Sequence, residues 1–506
     1  MNSIRFLRKL EGWKKIGDDV RGETVGDQSG ASVSLSADGS TLAIGAPYNS
    51  EKGYVSGHAA VFRFSGNRWL QIGADIDGEA STDQSGVSVS LSSDGSTLAV
   101  GAPFNDGNGN ASGSTCIFKF DGRNWNQMGS DIDGEAATDY SGKSVSLSGD
   151  GLTVAIGADY NNGNGNDSGH TRVFKFDGQD WKKIGEDIDG EMAGDFSGHS
   201  VSLSSDGKAL AIGAIWNDGN GYNSGHTRVF RFDGKTWNKL GSDINGEGEF
   251  DYSGWSVSLS GSGFVVAIGA IFNGDSSGHC RVFEFDGEDW SQRGSDIDGE
   301  AAEDLSGASV SLSANGSTVA IGASRNNGNG YNSGHARVFN FDGQSWYNVF
   351  EADGEAPYDT SGKSVSLSSD GLTLAVGASA NGDYSGHVRI YRTEMRTEIK
   401  RAIAPTGICT VPDRSNSKRT TECTNARDKA YEESISLFQS DFENCDCSGV
   451  AQFATAAKEE LLGKAYKEDP ENSTWQEKVK ICARDGVRRY IKVAVEACIG
   501  SAYKKS

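Results

Sequence analysis

Between residues 125 and 181, small polar and branched apolar side chains alternate in short bursts separated by glycine-rich turns. Ser144-Val145-Ser146-Leu147-Ser148 has the period of two of a half-buried strand. After Asp150-Gly151, the run Thr153-Val154-Ala155-Ile156-Gly157-Ala158 predicts a second strand, its large residues set against Ala and Gly. Arg172-Val173-Phe174-Lys175-Phe176 predicts a third, and Asp177-Gly178 turns the chain into a fourth that begins at Trp181. Both Asp-Gly pairs are hairpin signals, because Gly accepts the positive φ such turns require.

This unit occurs seven times. Its copies open at Trp13, Trp69, Trp125, Trp181, Trp237, Trp290 and Trp346, and the last runs out near Thr393. A period of this size built from short strands predicts a radial β array. The expectation for residues 1–393 is an all-β seven-bladed β-propeller of four-stranded antiparallel blades. Bulk on one sheet face and Ser, Ala and Gly on the other lets blades pack closely. The small first strand suits the crowded centre, and the Phe and Trp of strands three and four suit the wide rim. The seventh copy supplies three strands (364–368, 373–378 and 388–392) but no fourth, whereas the chain begins with one, residues 13–20. The opening strand is therefore expected to complete the seventh blade and leave no open edge.

From Arg396 the pattern becomes helical, with runs at 424–442, 450–466 and 474–499. Six of the eight cysteines fall there: Cys409, Cys423, Cys445, Cys447, Cys482 and Cys498. An even cluster in a short segment predicts a linker (394–420) and then a small disulfide-rich all-α domain (421–506), of undeducible pairing, in an oxidising compartment. Zinc is the competing reading, but paired Cys-x-x-Cys knuckles and histidine are missing from the region. Cys116 and Cys280 sit in different blades and are expected to be free. Met1 to Leu10 lacks an apolar signal core, which conflicts with secretion. Residues 4–13 resemble the repeat's own third-strand segment, so the sequence is expected to start inside a longer precursor, and the cysteines weigh more.

The net charge of −23 lies on the repeats: residues 1–393 carry 52 acidic and 28 basic side chains, against 18 and 19 beyond. Such a surface repels phosphate, so nucleic acid is a poor partner. No run is long and apolar enough to span a bilayer.

Asp27-Gln-Ser-Gly-Ala-Ser-Val33 followed by Leu42-Ala-Ile-Gly-Ala-Pro47, and again Leu98-Ala-Val-Gly-Ala-Pro103, resembles the FG-GAP repeat of the amino-terminal propeller of integrin α subunits. The resemblance implies a propeller used for extracellular adhesion. Phe-Gly of the family is Ser-Gly here, as at Ser29-Gly30, and Pro follows Gly-Ala only at Pro47 and Pro103. The family's calcium loops carry several carboxylates, whereas Ser93-Asp94-Gly95-Ser96 has one, so those sites are not carried over.

Two long loops per blade, between strands two and three and between blades, share one face of the disc, where function is expected. An Asp before x-Ser-Gly recurs in all seven copies, and Ser-Gly-His in six, ending at His58, His170, His226, His279, His335 and His387. A histidine in every blade reads as a hydrogen-bonding strut rather than a catalytic base. Positions that vary are more informative. Two residues past Gly-Ala lie Tyr48, Phe104, Tyr160, Trp216, Phe272, Arg325 and Ala380. After the repeated Asp come Gln28, Gln84, Tyr140, Phe196, Tyr252, Leu305 and Thr360, and after Ser-Gly come Lys143, His199 and Trp255 in copies three to five. The candidate ligand-binding residues are Tyr140, Lys143, Tyr160, Phe196, His199, Trp216, Tyr252, Trp255 and Phe272. Such rings stack on sugars or anchor a partner protein, or else fill the loops' own small cores.

The expected function is a non-catalytic extracellular or cell-surface adhesion module that binds a glycan or protein through this face, with the tail for attachment. No cofactor or metal is expected. Calcium at Asp131, Asp133 and Glu135 is the minor exception, since exposed acidic turns are commonly just solvated. The alternatives are a polysaccharide-acting propeller enzyme, for which His199, Glu249 and Glu303 are the off-pattern acid–base groups, and a structural matrix or coat protein.

Overall fold

The computed structural model describes residues 12–393. The expected linker (394–420), the expected disulfide-rich all-α domain (421–506) and the six cysteines assigned to them lie outside the described residues. Seven antiparallel sheets form the described part. Blade three is typical: an inner strand Ser144–Leu147, then Thr153–Ala158, then His170–Phe176, and an outer strand in two pieces, Trp181–Lys183 and Ile188–Asp189. The register is simple, with Val145 opposite Ile156 and Ile156 opposite Arg172. Sequence pattern predicted one continuous fourth strand, but six blades break it. In blade three the break is Gly185, at φ +75°, where an added Cβ would meet the indole of Trp237 at 2.6 Å. Blade six has no glycine in this stretch, and its outer strand runs unbroken over Trp346–Asp353.

The alternating pattern becomes seven cores between blades. Between blades two and three, Ala99, Ile117 and Ile132 of one sheet meet Val145, Leu147, Val154, Ile156, Phe174 and Trp181 of the next. Burying each branched side chain is worth about 1.5–3 kcal/mol against leaving it wet.

Serines finish what the apolar residues begin. Each inner strand has an edge facing its neighbour, and Ser-Val-Ser-Leu-Ser satisfies it. Ser144 Oγ donates to Gly198 O in the next blade at 2.8 Å, and Ser146 Oγ accepts the Leu203 N–H at 2.9 Å. Ser148 caps the hairpin by donating to Asp150 and accepting from Thr153 N. The Leu N–H contact recurs at all seven junctions, from Leu35 on Ser366 to Leu367 on Ser311.

The seam closes through the opening residues. Lys14 lies opposite Arg392 and Val20 opposite Val388, and Ile16 N donates to Ile390 O at 2.8 Å. Ile16 and Val20 pack with Val33, Leu42, Ile44, Val388 and Ile390 in the core that joins blade seven to blade one.

Candidate functional site

On the long-loop face, neighbouring blades are zipped by one short parallel bridge per junction, such as Gly169 with Ser197 and Ser29 with Gly386. The backbones touch: a Cβ on Gly169 would meet Ser197 O at 2.1 Å, and one on Gly157 would meet Gly198 O at 2.0 Å. This approach explains the recurrent Ser-Gly and Gly-Ala. The recurrent Asp is a loop cap. Asp195 Oδ2 accepts from Glu191 N, Met192 N and Asn217 Nδ2 at 3.0, 2.9 and 3.2 Å. Its carbonyl also accepts the amide of Trp216, so it places that ring directly.

The residue after each Asp is held at φ 53–57° in all seven blades. Left-handed backbone of this kind costs a non-glycine residue roughly 1–2 kcal/mol. Bonds across the junction hold it there, as from Tyr140 N to Ala111 O and from Phe196 N to Asp167 O.

Two ring positions thereby interleave into one arc running from blade two to blade five. Phe104, Tyr140, Tyr160, Phe196, Trp216, Tyr252 and Phe272 follow one another with centroid separations of 5.0, 4.9, 4.8, 4.3, 6.4 and 5.0 Å. Most pairs are edge-to-face or tilted, the favoured arrangements. The rings after Asp sit deeper, with Phe196 only 6 % exposed, whereas Phe104, Tyr160 and Trp216 are 37–39 % exposed. The deeper rings therefore fill the seams between loops, and the others face outward.

Beside the arc, the mouths of the inner strands carry polar groups. His199, Trp255 and Lys363 lie inside β-bulges, a device that re-aims a side chain. His199 Nδ1 lies 3.0 Å from Asp159 Oδ2, and its ring lies tilted against Trp255 with centroids 4.9 Å apart. The side chain of Lys363 reaches solvent. Crowding by the ring of blades, and then the charges of Lys143 and Arg325, push its ammonium below the ordinary lysine range.

All nine candidates thus lie on this face: six in the arc, His199 and Trp255 paired, and Lys143 with the cationic group. Phe104, Asp159, Arg325 and Lys363 were not among them. Lys363 could have been found, since it holds the same place after Ser-Gly as Lys143. Glu249 and Glu303 do not join His199. The first packs over Gly221, and the amide of the second is tied to Asp275 O. A cavity of about 350 Å³ lined by Asp296, Arg337, Phe339 and Trp346 shares no residue with the site.

The Ser-Gly-His rings are not hydrogen-bonded struts, which corrects the sequence reading. They are buried, but His170 Nδ1 stands 3.9 Å from Glu135 and Asp189, and His387 Nδ1 4.0 Å from Glu355, too far for a hydrogen bond. The glycine before each of them makes the junction instead. Burial, and then the neighbouring Arg172 or Arg228, holds His170 and His226 down at about 4. Asp131 accepts from Cys116 and Gln127, and Glu135 lies 3.6 Å from Arg172, so the acidic loop is already engaged. Cys116 and Cys280 are free. Partial burial would raise Asp94, yet hydrogen bonds from Ser92 and Ser96 hold it at about 2, as a turn cap.

The geometry is that of a repeat propeller with one decorated face. Residues 75–118, 132–174 and 188–230 match the FG-GAP repeat family. With seven blades built from copies of that unit, the chain is an FG-GAP-type repeat propeller. No curated protein matches it. Among solved structures it is similar to the crystal structure of a functionally unknown protein from Desulfotomaculum acetoxidans DSM 771. The identity is 13 % and the TM-score 0.44, over 64 % of this chain and 86 % of that one. No described helix is long and apolar enough to cross a membrane.

Proposed function

We propose that the long-loop face is a non-catalytic carbohydrate-recognition surface for acidic polysaccharide. The observation that carries this reading is the seven-ring arc, whose outward members Phe104, Tyr160 and Trp216 are partly exposed on the deeper rings and offer apolar surface for sugars to stack on. Lys143, Arg325 and Lys363 supply positive charge on an otherwise acidic chain, which favours carboxylate or sulfate substituents. FG-GAP repeats are typical of extracellular proteins, and an extracellular or cell-surface setting suits such a ligand.

The test is retention on immobilised neutral and acidic glycans. Trp216→Ala with Tyr160→Ala is expected to weaken retention at least tenfold, and Lys143→Ala with Lys363→Ala to remove the preference for acidic chains. Unchanged retention with intact circular dichroism sinks the reading, as does capture of proteins alone.

A second reading is a polysaccharide-cleaving enzyme. Its support is the His199–Asp159 pair, in which a buried carboxylate orients an imidazole beside the arc. Product release from a bound glycan, lost in His199→Gln while retention persists, would establish it over the first.

A further inference from the structure

We propose that Glu23, His58 and Asp75 form a divalent transition-metal site of the zinc class, where the closing segment of the chain meets blade one. The three residues each place a ligand atom within 4.8 Å of the others. Glu23 follows the closing strand Val20–Arg21, His58 opens the third strand of blade one, and Asp75 precedes its outer piece Ile76–Asp77.

The repeat supplies its own controls. The same constellation recurs as Glu135, His170 and Asp187, as Glu191, His226 and Asp243, as Glu247, His279 and Asp296, and as Asp19, Glu355 and His387. In the copies of blades three and four, side-chain cations already stand there. Arg172 and Arg228 lie 3.6 Å from Glu135 and Glu191, and Lys183 and Lys239 lie 2.8 and 3.0 Å from Asp187 and Asp243. Arg281 approaches Glu247 at 3.6 Å in blade five, and Lys15 holds Asp19 at 2.7 Å in blade seven. Blade one has neither of these; its nearby Lys52 pairs instead with Asp77, at 3.7 Å. Ala60 stands where the others have Arg, and Gln71 stands where Lys183 would be, donating to Asp75 at 2.7 Å. Glu23 and Asp75 are thus left facing each other, with Glu51 and Asp27 adding like charge.

An independent observation points into the cluster. His58 is 4 % exposed, and its Nδ1 is buried with no hydrogen-bond partner, as it is at His279 and His387; what sets blade one apart is that no arginine or lysine meets Glu23 or Asp75. In the other copies this nitrogen faces the glutamate, at 3.8 Å from His279 to Glu247 and 4.0 Å from His387 to Glu355. A buried imidazole nitrogen without a partner is costly, and coordination would satisfy it. One nitrogen and two carboxylates suit a zinc-class ion that keeps water in its fourth position, whereas calcium takes oxygen ligands in greater number. Bonds of about 2.1 Å put tetrahedral ligands roughly 3.4 Å apart, so the cluster must contract, and the exposed Glu23 is free to do so. The bound ion would staple the closing segment, which is otherwise held by the short pairings at Lys14–Lys15 and Val20–Arg21.

The experiment counts zinc equivalents on the full-length, chelator-stripped protein and follows thermal unfolding with zinc alone as the probe. His58→Ser, the residue blade two carries as Ser114, and Asp75→Asn are expected each to bind one equivalent fewer than the parent and to lose most of the zinc-dependent rise in Tm. His170→Ser, at the arginine-filled copy, is expected to keep both. Counting differences keeps the tail cysteines out of the result, and Asp75→Asn covers the chance that His58→Ser misfolds. Equal zinc stoichiometry in the parent, His58→Ser and Asp75→Asn overturns the proposal, as does loss of an equivalent in His170→Ser.

Discussion

Thr360 shows how much of this molecule is decided by single backbone angles. It occupies the left-handed position after the repeated Asp at φ 54°, and its branched Cβ makes it the most strained of the seven side chains found there. Its hydroxyl has only a 3.5 Å contact with Ser379 to offset that strain. Thr360→Asn is expected to raise unfolding stability by about 1 kcal/mol, because Asn tolerates this region without adding freedom to the unfolded chain. The check is a urea titration, and a lower midpoint would contradict it. Gly157 behaves oppositely. Its φ is unremarkable, and what excludes a side chain is the Gly198 carbonyl 2.0 Å from any added Cβ. Strain of the first kind recurs in every blade, and in blades two to five, where the arc lies, the loops pre-organise their rings at a standing cost to stability.

Between elements, the tryptophans that mark the repeat act as latches. Trp181 Nε1 donates to Met128 O at 2.6 Å, and Trp125, Trp237, Trp290 and Trp346 make the same bond to the preceding outer strand at 2.8, 3.0, 2.6 and 2.6 Å. Trp13 does not: its Nε1 is buried without a partner, and its ring stacks on Phe350 at 5.2 Å. Trp181→Phe is therefore expected to cost about 1–2 kcal/mol and Trp13→Phe close to nothing, measured as a paired set of denaturant midpoints. Equal losses would show that ring burial, not the latch, sets the effect. The strands and hairpins that carry these latches were legible in the sequence, since period-two alternation and Asp-Gly are local signals. What joins blade to blade was not. Ser146 reads as a small residue in a strand, and only the packed ring shows that it accepts the Leu203 N–H from 57 positions away. The arc was half legible: both ring positions were visible in the repeat, but their interleaving depends on which loops touch. Asp159 was invisible as the partner of His199, because a bulge and a blade junction bring together residues 40 positions apart.

At the scale of the whole molecule, repetition multiplies small terms. His170 and His226 sit near 4 in the folded chain and return to about 6.5 when it unfolds, and burial lowers His279, His335 and His387 as well. Between these values the unfolded chain binds protons that the folded chain refuses, so stability falls as pH drops from about 6.5 toward 4. The loss approaches about 3 kcal/mol for His170 and for His226 at the acid end. Urea midpoints from pH 7.5 to 4 should show that slope, and His170→Ser with His226→Ser should flatten it. A slope unchanged in the double variant would place the acid sensitivity in carboxylates instead.

Closure is the other property that belongs to the ring and not to any blade. The third strand of blade seven, His387–Arg392, has only the opening residues as its outer partner. Deleting residues 1–22 would bare its edge, remove Ile16 and Val20 from the core against blade one, and remove the bonds that the Ile16 and Gly22 amides donate to Ile390 O and Gly386 O. A bare strand edge pairs with other copies, so the truncated chain is expected to form concentration-dependent oligomers in sedimentation velocity while blades two to five keep their strand signal. Adding residues 12–22 back as a separate peptide should reverse this oligomerisation, because the missing strand is short and its partner edge is preformed. A truncated chain that sediments like the intact one and is equally stable would mean that the seven inter-blade cores hold the ring without a sewn seam.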